Sequence, residues 1–424
     1  MLNKTKKCNS KCVNLPIEKC YKGCIFTDHC RLSSKYKINP INCKIMKRTK
    51  KILTKSPSTK VNNLKHNDIT NYTPNSFIIP KKENKDTMSY SPEINKLLVQ
   101  SRYSEKYDIF NSITSCMNID VDKYELKDSI LKYYINPRVK LKNGECVSYW
   151  NNEAQQMFLD NLSKHNIINI ESLIVPKQSY YNCWFNTGFM MNYISDKGRK
   201  FNKYFRQFMI TGKMKGFKPF LNKLKGPLFL FNIAIESTLQ GNSLAKIMNT
   251  NDIIEKIHEN IPKEYKKNIM YKNESGNPYI YQIALLNYIS NNPYLYNLIN
   301  GYKLYLIIKQ NGYFTKINDI VWAELLEYQS NIIDTKDVYI KDHLKNKYML
   351  DSILVRDTKK THFCCLLTIN KEEYIYDGAS NPQLKILKWK NNIFLNQDKN
   401  FYINPNSLVW NMRNSYQVLN YYRV

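Results

Sequence analysis

Cys183 stands within the run Gln178-Ser-Tyr-Tyr-Asn-Cys183-Trp-Phe-Asn-Thr-Gly188, and far downstream His362 opens His362-Phe-Cys-Cys-Leu-Leu-Thr-Ile369. Asp377 follows in Tyr374-Ile-Tyr-Asp377-Gly378. A thiol, a distant imidazole and an acid just beyond it are the parts of nucleophilic hydrolysis. The thiol is a weak nucleophile until it loses its proton, so it needs a base within hydrogen-bond reach or a field that favours thiolate. His362 is the candidate base, and Asp377 the candidate group that holds its ring and tautomer. Gln178, five residues before the cysteine, can offer an amide N–H to the oxyanion of a tetrahedral intermediate. Each residue alone has a plainer explanation. A cysteine before a helix is usually a small buried apolar group, a histidine opening a strand is usually structural, and Asp-Gly is usually a turn. The order of all four together favours catalysis.

Two elements must position these groups. Phe185, Phe189 and Tyr193 recur every four residues after Cys183, with Met190 and Ile194 beside them, and predict one apolar face of a helix that begins near the thiol. A thiol there would sit at the positive end of the backbone dipole, which favours the anion. Gly188 inside that helix costs about 1 kcal/mol relative to alanine, so close packing or a kink is expected to retain it. Trp184 is expected in the core rather than on substrate. On the histidine side, Asn370-Lys371 reads as the turn of a hairpin. Residues whose numbers sum to 741, as those of the two turn residues do, should then lie opposite each other. His362 would face Ala379, with Asp377 as its diagonal neighbour on the same face, about 7–8 Å away. Asn381 is the alternative third member.

The run Cys183-Trp-Phe-Asn-Thr resembles the cysteine box of the ubiquitin-specific proteases, in which the nucleophile is followed by an aromatic, an apolar residue, asparagine and a small hydroxyl residue. Gln178 takes the place of that family's oxyanion-hole asparagine, a role glutamine serves in papain-like enzymes. Thr361-His362-Phe363 resembles the family's Gly-His-Tyr, Tyr374-Ile-Tyr-Asp377-Gly its aromatic strand ending in the triad aspartate, and Ser415-Tyr-Gln-Val-Leu-Asn-Tyr-Tyr-Arg423 its closing strand. The resemblance implies a papain-like α+β fold, with a helical subdomain bearing the cysteine followed by an antiparallel sheet bearing histidine and aspartate. It also implies hydrolysis of peptide or isopeptide bonds of ubiquitin or ubiquitin-like conjugates, with no cofactor required.

Composition sets the outer bounds. With 424 residues, 43% of them apolar, there is ample material for a core. Heavy use of tyrosine, asparagine, lysine and isoleucine suggests an AT-rich genome, such as that of a large DNA virus or some protists. No apolar run approaches the ~20 residues that span a bilayer, and the N-terminus has no apolar signal segment. An intracellular setting is therefore expected, in host cytoplasm or a viral factory, with packaging in a virion as a further option. Charge is uneven: residues 1–90 hold 20 Lys or Arg against 5 acids, or +15 of the total +29. That density suits nucleic acid or an anionic surface. Six cysteines fall at 8, 12, 20, 24, 30 and 43, in a segment too poor in large apolar residues to fold by burial. Disulfides are the favoured tie; structural zinc on Cys8, Cys12, Cys20, Cys24, His29 and Cys30 is the weaker option.

The expected organisation is a Cys-rich basic module over 1–43, a flexible basic linker over 44–90, and a catalytic domain over 91–424. Helices are predicted over Glu93 to Arg102, Lys123 to Tyr134, Asn152 to His165, Ser243 to Glu259 and Tyr279 to Ile289. Strands follow over Leu304 to Ile308, Val338 to Ile340, Met349 to Arg356 and the His362 hairpin. A thiol protease acting on a ubiquitin-like or viral protein is the leading expectation. The alternatives are a protease that matures virion proteins and a non-enzymatic, basic, DNA-binding virion protein.

Overall fold

The structure, a computed structural model, describes residues 112–113, 115–116, 138–162, 168–213, 222–271, 274–289, 296–315, 320–330, 336–403 and 408–424, and the backbone of four short strands before residue 48. The chain divides into two compact units, Met1–Asp68 and Ile69–Val424. In the first, β1 (Cys24–Phe26) pairs with β2 (Cys30–Leu32), and β3 (Tyr36–Ile38) with β4 (Ile45–Lys47), both antiparallel. β4 occupies the first residues of the expected linker. The remainder of 44–90, the helices expected over Glu93 to Arg102 and Lys123 to Tyr134, and the side chains of Cys8, Cys12, Cys20, Cys24, His29 and Cys30 lie outside the described residues.

The second unit carries helices first and a sheet last. A short hairpin, β5 (Arg138–Lys140) with β6 (Cys146–Ser148), is tied by a Cys116–Cys146 disulfide that sequence spacing did not reveal. Then come α1 (Asn152–Leu162), α2 (Cys183–Phe189), a π-helical turn over Met190–Ile194, α3 (Asp196–Phe201), α4 (Lys203–Thr211) and the 19-residue α5 (Asn222–Gln240). The helix expected over 243–259 is two, α6 (Leu244–Ile247) and α7 (Thr250–Asn260), because Asn249 turns extended and its side chain caps the Asn251 N–H. α8 (Pro278–Ile289) follows as expected.

Beyond it lies an eight-stranded sheet built from β7 (Tyr296–Asn300), β8 (Ile320–Leu325), β9 (Tyr339–Lys341), β10 (Lys347–Arg356), β11 (Phe363–Ile369), β12 (Glu372–Tyr376), β13 (Leu384–Ile386) and β16 (Gln417–Arg423). The main path runs β13-β12-β11-β10-β16-β8-β7, and β9 also pairs with β10. All pairs are antiparallel except β7 with β8. A separate two-stranded ladder joins β14 (Asn400–Phe401) to β15 (Trp410–Asn411).

One sequence expectation is overturned here. Residues 304–308 form part of a helix, α9 (Gly301–Asn311), not a strand. Asn300 caps its start by accepting the Lys303 N–H, and Gly312 ends it in the left-handed conformation. The buried positions 301, 304 and 305 follow helical spacing.

Both sheet faces are covered, which explains why the central strands read as unbroken apolar runs. Along β11, Cys365 and Leu367 enter the cluster shared with the helical layer, whereas Cys364 and Leu366 enter a second core with Trp389 and Trp410 behind the sheet. α2 packs directly against β11, so the thiol-bearing helix lies on the strand that His362 precedes.

Candidate active site

The hairpin fixes the imidazole and the acid. β11 and β12 pair Cys365 with Tyr376, Leu366 with Ile375 and Ile369 with Glu372, so opposite residues sum to 741. Asn370 and Lys371 make the tight turn with φ of 51° and 68°. Positive φ at both central residues is the twist that a two-residue hairpin loop demands. The Asn370 side chain also bonds the Ile168 N–H (3.0 Å) and carbonyl (2.5 Å), and Asp196 accepts the Asn370 and Lys371 N–H groups. His362 and Asp377 flank the paired residues, and His362 Nε2 meets Asp377 Oδ1 at 2.6 Å.

Asp377 is held in turn: its Oδ1 accepts the Ala379 N–H (2.9 Å) and its Oδ2 the Ser380 hydroxyl (2.6 Å). Burial would raise its pKa, but the His362 contact and these donors outweigh burial and keep it below the ordinary carboxylate value. Burial likewise pulls His362 down, but its hydrogen bonds to Asp377 and to the Cys183 thiol, with the charges of both, push it up to about 9. Since Nε2 is taken by the carboxylate, Nδ1 is the nitrogen left for sulfur. The imidazole is thus fixed to the acid at 2.6 Å, and the thiol lies near enough to help raise its pKa. Asn381 is exposed, and the ring nitrogen bonds Asp377.

Sequence reasoning missed the residue that delivers the histidine. Buried Asp357 closes the loop before β11: its Oδ1 accepts the Thr361 and His362 N–H groups, each at 2.6 Å. Its Oδ2 accepts the Lys359 N–H (3.0 Å) and the Thr361 hydroxyl (3.2 Å). The Asp357 backbone N–H donates to the His362 carbonyl (2.9 Å), carrying the loop into the sheet.

Cys183 is the first residue of α2 and is only 8% exposed. All seven residues of α2 are buried, not one face alone. A Cβ at Gly188 would lie 2.7 Å from Pro278 Cβ, so close packing accounts for the glycine. Trp184 is buried, and its indole N–H donates to the Glu274 carbonyl at 3.0 Å. Thr187 bonds the Cys183 carbonyl (2.6 Å) and reaches the Phe363 carbonyl (3.5 Å), stitching the thiol helix to the histidine strand.

Ahead of the thiol, residues 177–182 are strapped down by buried amides. Asn182 accepts the Ser179 N–H (2.9 Å) and donates to Thr250 Oγ1 (2.8 Å). Thr250 donates to Asn186 (2.5 Å), which donates to the Lys177 carbonyl (3.3 Å). Asn251 donates to the Ser179 carbonyl (2.7 Å). Gln178 is anchored from the other side, its backbone N–H donating to the Gly378 carbonyl at 2.9 Å. A Cβ on Gly378 would come within 2.8 Å of the Tyr376 hydroxyl and 3.2 Å of the Gln178 nitrogen, so only glycine permits this approach. The Gln178 side chain donates one Nε2 hydrogen to the Tyr180 carbonyl (2.9 Å), and its Oε1 has no hydrogen-bond partner. The structure thus assembles Cys183, His362 and Asp377 directly, and places Gln178 beside them with one amide hydrogen uncommitted.

Burial raises the pKa of Cys364 and Cys365 well above the ordinary thiol value, marking them as structural. Among the described residues, no group of three or more His, Cys, Asp or Glu side chains is placed to hold a metal ion, and no helix is long and apolar enough to cross a membrane. No protein-family model and no curated protein matches the chain.

Proposed function

We propose that the protein is a papain-like cysteine peptidase. The observation that carries this reading is His362 held to the Asp377 carboxylate at 2.6 Å on the strand against which the Cys183 helix packs, with the thiol near enough to help raise the imidazole's pKa. Cys183 attacks a peptide or isopeptide carbonyl while His362 holds the thiol proton. The tetrahedral oxyanion is met by the Cys183 backbone N–H, which has no helical partner at the first position of α2, and by the free amide hydrogen of Gln178. His362 then donates its proton to the departing amine, leaving an acyl-enzyme. Water, giving a proton to His362, attacks that thioester; the C–S bond breaks, the acid product leaves and His362 returns the proton to the Cys183 thiolate. Asp377 stays ionised throughout and orients the ring.

Ubiquitin or a ubiquitin-like conjugate is the first substrate candidate, supported by the cysteine-box resemblance. A Cys183→Ala protein that retains the parent's cleavage of every peptide and ubiquitin substrate would sink the reading. Labelling of Cys183 by a ubiquitin-propargylamide probe supports deubiquitination. An enzyme active on other proteins but unlabelled by the probe is instead a maturation protease. The +15 balance of residues 1–90 favours a second, separate activity, binding of nucleic acid or an anionic surface. Unchanged DNA affinity and salt slope after deletion of those residues would remove that assignment.

A further inference from the structure

Tyr180 and Tyr181 stand two and one residues before the asparagine–cysteine junction, and both rings face solvent, 69% and 62% exposed. The other large exposed apolar side chains among the described residues, such as Leu306 and Ile393, lie on elements that do not carry the site. Tyr181 is two residues from the nucleophile, so their Cα atoms are at most about 7 Å apart. Tyr180 adopts φ of 56°, a left-handed conformation that is a genuine outlier for a bulky side chain. Its neighbours leave it little choice: the Ser179 N–H and carbonyl and the Tyr180 carbonyl are all bonded to fixed amides. Glycine would adopt that backbone without strain. A tyrosine there gains no core packing, because its ring points outward.

A strained residue whose side chain serves no packing purpose, placed beside a nucleophile, is explained by what it contacts from outside. We propose that Tyr180 and Tyr181 form an aromatic shelf that receives an aliphatic or aromatic side chain next to the scissile bond of an extended polypeptide substrate. This rests on the peptidase reading and, because a glycine-terminated ubiquitin tail has no side chain to seat there, it favours the maturation-protease form of that reading. Aromatic rings also attract cations. Here Lys177, Lys359 and Lys360 are exposed within a few residues of Gln178 and His362, and their charge disfavours a cationic occupant. The shelf therefore selects apolar side chains over arginine.

The test uses the full chain and matched fluorogenic peptides that differ at one position beside the scissile bond, with leucine, phenylalanine, serine or arginine. The parent is expected to prefer leucine and phenylalanine over serine and arginine by roughly tenfold in kcat/KM, chiefly through KM. Tyr181→Ala and Tyr180→Gly should erase that preference to within about twofold, and Tyr181→Phe should keep it. Tyr180→Gly should also unfold at the same or a higher temperature than the parent, because the left-handed strain is relieved. A preference that survives both Tyr181→Ala and Tyr180→Gly overturns the shelf. If Tyr180→Gly fails to fold, Tyr181→Ser, which has ordinary backbone, decides alone. A parent that cleaves no peptide in a Cys183-dependent way instead defeats the peptidase reading. Anisotropy of the same labelled peptides on the parent then tests the shelf by itself, and binding indifferent to Tyr181→Ala overturns it.

Discussion

Replacing Asp377 by asparagine removes one charge and little geometry. The two donors to the carboxylate, besides His362, are the Ala379 N–H on Oδ1 and the Ser380 hydroxyl on Oδ2. An asparagine carbonyl can keep the Oδ1 contacts while its NH2 faces the Ser380 oxygen, which can accept. The imidazole therefore keeps its orientation and loses its counter-charge. A nearby opposite charge is worth roughly one to three pKa units, or about 1.4–4 kcal/mol at 1.36 kcal/mol per unit. His362, held up at about 9 in the parent, should fall by that amount because burial, the largest influence on it, already pulls downward. The protonated ring is needed to deliver a proton to the leaving amine, so the alkaline limb of kcat/KM should move down with it. Turnover should drop roughly tenfold in Asp377→Asn and by about 10²–10³ in Asp377→Ala, which also loses orientation. Iodoacetamide should still alkylate Cys183 in both. The assay is the pH profile of kcat/KM from 6 to 10, with Asn381→Ala as the control that should leave the limb in place. An Asp377→Asn profile superimposable on the parent's, or an Asn381→Ala variant that shifts or is crippled while Asp377→Ala turns over normally, refutes the assignment.

Stability should follow the same pair. His362's raised pKa contributes stability that is fully present below its unfolded value near 6.5 and is lost as pH rises through about 9, whereas Asp377's lowered pKa contributes stability lost only in acid, so thermal midpoints should fall between about pH 6.5 and 9 in the parent and less in Asp377→Asn. Thr250→Val leaves the Asn182 amide N–H and the Asn186 carbonyl oxygen without their shared hydroxyl partner, at about 1–3 kcal/mol apiece, and should lower the thermal midpoint and turnover without moving the alkaline limb. Gly378→Ala forces a Cβ against the Tyr376 hydroxyl and Gln178, at a cost of about 1–3 kcal/mol, and calorimetry with activity should show both losses. Lys371→Gly relieves a left-handed turn residue and should raise the midpoint by up to about 1 kcal/mol in stability with turnover within about twofold of the parent's.

The parts of the site that were legible in sequence are those set by local rules. The β11–β12 register follows from a two-residue turn and the period-2 backbone, so naming Asn370-Lys371 was enough to bring His362 to Asp377. Helix identity at 301–311 was not legible from the run Leu304-Tyr-Leu-Ile-Ile308, since a short apolar stretch fits strand and helix alike; Asn300 and Gly312 were the signals that decided it. Asn182, Asn186, Thr250 and Asn251 escaped notice for another reason. Their bonds span 64 to 72 residues of sequence, and polar residues in an asparagine-rich chain carry no periodic mark. Asp357 could have been found: an acid followed by Thr-Lys-Lys-Thr before a strand is a side chain suited to closing its own loop.

These two classes of contact divide the site into halves with different vulnerabilities. The imidazole and acid are separated by 15 residues and belong to one hairpin, so they are paired as soon as that hairpin forms. The thiol arrives on a fully buried helix, and its position depends on α2 packing against β11, on Thr187 reaching the Phe363 carbonyl, and on the amide network that fixes the preceding loop. Damage to the hairpin should therefore show itself in protonation, as a displaced pH limb. Damage to the helix side should show itself in the rate at which Cys183 is acylated, with the limb unmoved. A fold that carried these residues for structural reasons alone would need no such convergence. Here an Asp357-closed loop leads into His362, a glycine after Asp377 is fitted against Gln178, and a strained Tyr180 stands three residues before Cys183.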